Sequence, residues 1–174
     1  NLNRVGANAN FHFHNHDREE ITSQSAHEPR RFNNKFVGEK IPILEDILPI
    51  VNNYPEVTFF LELKHETLHQ KDFQDSLNTL SKILKNVTEK IVVISFDLEL
   101  IYLISRDYNF RRGIVLTHFS DLDLDRIELI KPEFIFLDFN LIPSNFILSE
   151  HPIAKMTQFV CYEVDDSELA TNLL

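Results

Sequence analysis

The sequence predicts an α/β fold built on a parallel sheet. Short apolar runs of strand length alternate with longer runs of helical spacing, the order that gives repeated β–α units. The strand-like runs are apolar at successive positions rather than at every second one, as in strands covered on both faces. That leaves a (β/α) barrel or an open doubly wound sheet, and the lack of a Gly-rich turn after an early strand weakens the dinucleotide-binding version of the latter.

The elements follow in order. "FHFHNH" (11–16) reads as a strand, and a polar loop runs from Asp17 to about Lys40. In 41–53, Leu44, Ile47, Leu48 and Val51 form one helical stripe; Pro42 suits its first turn, and Pro49 is expected to kink or shorten it. "EVTFFLELK" (56–64) reads as a buried strand. Residues 71–87 then set Phe73, Leu77, Leu80 and Leu84 along one helix face, with Asp72 and Asp75 where the helix dipole favours them. "KIVVISF", "RRGIVLTH", "EFIFLDFN" and "QFVCYEV" are further strands, six in all. The helices "LELIYLISRDY" and "SDLDLDRIELI" and a turn or two in "IPSNFILSEH" separate them, and "DDSELATNLL" starts another helix. No linker or repeat interrupts the 174 residues, so a single domain, 1–174, is expected.

Composition excludes several classes. A net charge of -10 argues against a general nucleic-acid or anionic-membrane binder, since no broad basic surface would release counterions. Cys161 is alone, so there is no disulfide framework. No apolar run approaches the roughly 20 residues that span a bilayer, and no signal peptide opens the chain, which makes the cytoplasm the default location.

Two stretches carry chemistry. In 56–64, alternation puts Thr58, Phe60, Glu62 and Lys64 on one face, so a carboxylate and an ammonium meet at the C-terminal end of an apolar strand. Sites in parallel α/β folds are built at that end. A buried Glu62 must be ion-paired, protonated or metal-bound, and a plain Glu62–Lys64 ion pair is as good a reading as a functional one. His12, His14 and His16 likewise share a face. They suit a transition-metal pair, a general acid or base, or a solvated edge strand. A metal-dependent hydrolase built on His12 and His14 would draw further ligands from His118, Asp138 and Asp165. Asp138 and Asn140 end a strand on one face and are candidate pocket residues; His27, His65, His69 and His151 read as surface groups.

Read together, "KFVGEKIPILEDIL", "FFLELK" and "IVVISFDLELIYLI" resemble the glycerophosphodiester phosphodiesterase family. That family carries, in order, an H-D followed by an R/T loop, G-x-x-IPTLEEVL, an (I/L)ELK strand, a V-x-x-SF strand and a late W-T-V-N. The counterparts here are His16-Asp17 with Arg18 and Thr22, Gly38–Leu48, Leu61–Lys64, Val92–Phe96, and Tyr162-Glu163-Val164-Asp165. The resemblance implies a TIM (β/α)8-type barrel that hydrolyses glycerophosphodiesters to an alcohol and sn-glycerol 3-phosphate. It implies a divalent cation, Mg²⁺ or Ca²⁺, with Glu62 as a metal ligand, Lys64 as the cation beside the phosphate and His16 as an acid–base histidine. Phe96 and Tyr162 would line the glycerol side, although Phe96 fits core packing more readily.

The family's opening H-R-G, P-E-N-T and E-x-D segments have no counterpart before Phe11, and Asn10–Phe11 looks like a join. Its closing G-V-D-G-I-x-T-D strand has none after Leu174. A barrel of about 200 residues or more is therefore expected to be incomplete here. The catalytic set as written reduces to Glu62, Lys64 and His16, which leaves open a non-catalytic relative acting as a binding module.

Overall fold

The computed structural model describes residues 16–26, 29–64, 73–123 and 125–167. The chain forms two compact units, Asn1–Tyr54 and Pro55–Leu174.

In the first unit, α1 (Arg18–Ser23) occupies part of the segment expected to be a polar loop. Its start is a capping box: the Asp17 carboxylate accepts the Glu20 N–H, and the Glu20 side chain accepts the Asp17 N–H. "DREE" carries that signal in the sequence. A short α2 (Pro29–Phe32) follows, and an antiparallel bridge joins Ser25 to Lys40. The helix α3 (Leu44–Asn53) begins at Ile43, whose N–H donates to the Asp46 carboxylate, so Pro42 lies just outside it. Pro49 does not end α3, which runs four residues further. The carbonyl that Pro49 deprives of a helical donor belongs to Glu45, in the first turn, where the disruption is small.

The second unit holds the sheet, whose strands are β1 (Phe59–Glu62), β2 (Ile91–Ser95), β3 (Arg111–Val115), β4 (Phe134–Asp138) and β5 (Gln158–Tyr162). Their order is β1-β2-β3-β4-β5, every pair parallel. Crossovers run through α4 (Phe73–Leu84), α5 (Leu98–Asp107) and α6 (Asp125–Ile130); β4 reaches β5 through 3-10 turns. Sequential order decides between the two parallel architectures. A doubly wound sheet must reverse its order at a switch point, whereas a sheet that never reverses keeps its right-handed crossovers on one side. The chain forms a half-barrel of five parallel strands.

Burial follows the same division. The residues predicted to line α4, namely Phe73, Leu77, Leu80 and Leu84, are buried, as are Leu100, Ile101 and Ile104 of α5 and Ile127 and Ile130 of α6. Helix α5 packs on β2, β3 and α6. On the other face of the sheet Val92, Ile94, Val115 and Phe134 form a core patch with Phe136, Val160 and Tyr162 against it. Gly113 makes room there: a Cβ would stand 3.0 Å from the Phe134 carbonyl oxygen and 3.1 Å from an Ile94 methyl. The expectation of a buried β1 is corrected. Among the described strands β1 pairs with β2 alone, and Phe60 is 40% exposed.

Of the six expected strands five are described. "FHFHNH" lies outside the described residues except for His16, which is not in a strand. The helix start after Asp165 is described only at Ser167.

Candidate functional site

The concave face is fixed by ring contacts. The Phe60 ring packs edge-to-face on those of Phe134 and Phe136, each at 5.0 Å between centroids. The even-numbered side chains of β1 and β4 therefore share that face, and alternation places Glu62 and Asp138 on it, two residues further toward the C-terminal strand ends. Tyr162, in register with Asp138, belongs to the same face. The phenol senses the two acids: burial raises the Tyr162 pKa first, and the charges of Asp138 and Glu62 push it further the same way.

Lys64 Nζ lies 2.7 Å from Glu62 Oε1, so the ion pair that the sequence left open is present. Both groups are partly solvated, and such a pair contributes about 1 kcal/mol or less. The strand end that carries them is held by Ser95. Its buried hydroxyl donates to the Leu63 carbonyl oxygen at 2.7 Å and accepts the Asp97 N–H at 3.1 Å, while the Leu63 N–H donates to the Ile94 carbonyl at 2.9 Å. Sequence reasoning named Val92–Phe96 as a motif but gave Ser95 no task. A serine ending an otherwise apolar buried strand was the available signal, since a buried hydroxyl requires partners.

Phe96 follows β2 and is 46% exposed, which corrects its reading as core packing: it sits past the strand end, outside the buried layer. Asp138 Oδ1 accepts from both the backbone N–H and the side-chain amide of Asn140, which ties those two strand-end residues together.

His16 belongs to the first unit, with Nδ1 3.1 Å from Glu20 Oε2. Its neighbour Asp17 is engaged in capping α1. Arg18 joins Glu45 at 3.2 Å, linking the H-D-R segment to the "IPILE" segment. Arg18, Thr22, Lys40 and Asp46 line a cleft of about 540 Å³.

His12, His14, His27, His65 and His69 lie outside the described residues. His118 is exposed, and His151 pairs with Asp123 at 3.3 Å. Among the described residues no group of three or more His, Cys, Asp or Glu side chains is arranged to hold a metal ion. A hard cation takes six or more oxygens, and Glu62 alone does not make such a site. No helix among the described residues is long and apolar enough to cross a membrane.

No protein-family model and no curated protein matches the sequence. Solved structures do match. A phosphodiesterase from Oleispira antarctica in complex with the product sn-glycerol-3-phosphate superposes with a TM-score of 0.72 at 15% identity, covering 92% of this chain and 63% of its own. The chain has the fold of part of a glycerophosphodiester phosphodiesterase barrel. A glycerophosphodiester phosphodiesterase from Parabacteroides distasonis gives 0.67 at 15% identity, with 90% and 62% covered. A putative glycerophosphodiester phosphodiesterase from Galdieria sulphuraria gives 0.61 at 17%, with 90% and 61%. The chain therefore spans about three fifths of the length of these phosphodiesterases and presents part of their barrel.

Proposed function

We propose that the chain carries part of the site of a glycerophosphodiester phosphodiesterase, which adds water across a phosphodiester to release an alcohol and sn-glycerol 3-phosphate. The observation that supports this most is the Glu62–Lys64 pair at the C-terminal end of β1, on a half-barrel matching phosphodiesterases of that class. In this reading the Lys64 ammonium faces the phosphoryl oxygens and offsets charge that grows as the bond to the leaving alcohol breaks. His16 delivers the proton that the leaving oxygen needs, the general-acid role that imidazole side chains fill most often. Tyr162 and Phe96 pack along the glycerol carbons. Glu62 holds Lys64 and would be one ligand of a divalent cation, Mg²⁺ or Ca²⁺.

The test is hydrolysis of glycerophosphocholine with Mg²⁺ or Ca²⁺, followed as released glycerol 3-phosphate. Glu62→Gln and His16→Ala should each lower kcat/KM by about 100-fold or more, the range of a lost acid–base or electrostatic group. EDTA should abolish the reaction, and added cation should restore it. No turnover with any head group, alongside retained binding of sn-glycerol 3-phosphate, would instead favour a non-catalytic binding module.

A further inference from the structure

The first unit carries a surface that the phosphodiesterase reading does not use. An antiparallel bridge joins Ser25 to Lys40, just before and at the end of an exposed stretch. Residues 31–40 are all exposed. Among them Phe36 is 56% exposed and Val37 67%, and the Phe36 ring meets that of Phe32 edge-to-face at 5.3 Å. Arg31 stands over the Phe32 ring at 5.2 Å. Neither Arg31 nor Lys35 forms an ion pair among the described residues.

Charge runs against the rest of the chain. Residues 31–40, all described, hold three cations, Arg31, Lys35 and Lys40, against one carboxylate, Glu39, in a protein of net charge -10. Overall charge opposes indiscriminate adsorption to an anionic surface, so any such contact must be made locally. Exposed aromatic and aliphatic side chains with arginine and lysine near them in the chain are what the interfacial layer of an anionic bilayer accepts: carbon enters the acyl boundary and the cations meet lipid phosphates. A second copy of this chain fits less well, since pairing two such loops would crowd their cations together. A nucleic-acid strand also fits less well. Phe32 and Phe36 meet edge-to-face rather than offering parallel platforms for bases, and Val37 has no ring to stack.

We propose that residues 31–40 dock on an anionic phospholipid bilayer, with Phe36 and Val37 in the interface and Arg31 and Lys35 against lipid phosphates. The proposal does not depend on phosphodiesterase activity. It is tested by flotation of the 174-residue chain with vesicles of mixed phosphatidylserine and phosphatidylcholine, beside vesicles of phosphatidylcholine alone. The chain should float with the anionic vesicles and be released by high salt. Arg31→Gln with Lys35→Gln should lower partitioning about 25-fold, roughly fivefold for each cation. Phe36 has φ +63°, a conformation Asn tolerates, so Phe36→Asn removes the ring while keeping the turn and should also weaken flotation. Circular dichroism melts confirm that the variants fold as the parent does.

Absence of flotation, variants that float like the parent, or equal binding to neutral vesicles would overturn the proposal. So would a loop-dependent dimer in sedimentation velocity, or loop-dependent binding of an RNA oligonucleotide, without vesicle binding.

Discussion

At the scale of the residue, Tyr162 reports the charge at the concave rim. Burial and the nearby Asp138 and Glu62 carboxylates all favour its neutral phenol, so its pKa in the fold lies above the ordinary 10.0. A group raised in this way contributes stability that is fully present below pH 10 and lost as pH climbs through the folded value. Tyr162→Phe should therefore lose less stability than the parent above pH 10, read as urea midpoints along a pH series. Tyr108, raised chiefly by its own burial, titrates in both proteins and cancels from the difference. An unchanged pH profile would show that the phenol does not feel the two acids. The same rim illustrates what single residues disclose in sequence: Glu62 and Lys64 were legible as a charged pair on one face, because alternation in a strand is a local property. That Asp138 shares the face was suggested only by its place at a strand end. Its position beside Tyr162 follows from inter-strand register.

Among the elements, α5 shows how a local signal and a long-range one meet. Asp97 is its N-cap, accepting the Glu99 and Leu100 N–H groups at 2.9 and 3.1 Å, and its own N–H donates to the Ser95 hydroxyl. Asp97→Ala should cost about 1 kcal/mol in denaturant unfolding, the usual worth of such a cap. A loss much below that would mean that burial of Leu100, Ile101 and Ile104 alone sets the helix start. The α4 stripe is legible because an apolar period of 3.6 registers burial directly. Helix α1 hides from periodicity because its six polar-rich residues carry no stripe, and only the capping pair Asp17–Glu20 announces it. Strand β1 is legible as a strand but not in its burial: hydrophobicity records a tendency to be covered, while the number of neighbouring strands decides how much cover there is.

For the molecule as a whole, a narrow constraint lies at the centre of the sheet. Gly113 on β3 stands against the Phe134 backbone and the Ile94 side chain, where a methyl group would fit only if a neighbour gave way by a few tenths of an ångström. Gly113→Ala should destabilise the chain by about 1–3 kcal/mol through overpacking, measured by thermal or urea unfolding. A neutral or stabilising result would show that β3 can shift to admit the methyl. The parallel five-stranded half-barrel agrees with the architecture that the order of elements suggested, and with solved phosphodiesterases that share only 15–17% of its residues. Such agreement at low identity is expected when apolar periodicity and crossover handedness, rather than particular side chains, specify a fold.

By itself the sequence determined the alternation of strands and helices, the faces those helices bury, and the acid–base character of the β1 end, because each depends on neighbours along the chain. Tertiary structure alone decided the singly wound strand order, the half-exposed state of β1 and Phe96, and the meeting of Tyr162 with Asp138 and Glu62. Those depend on which strand lies beside which and in what register, and pairing between distant segments leaves no local period to read.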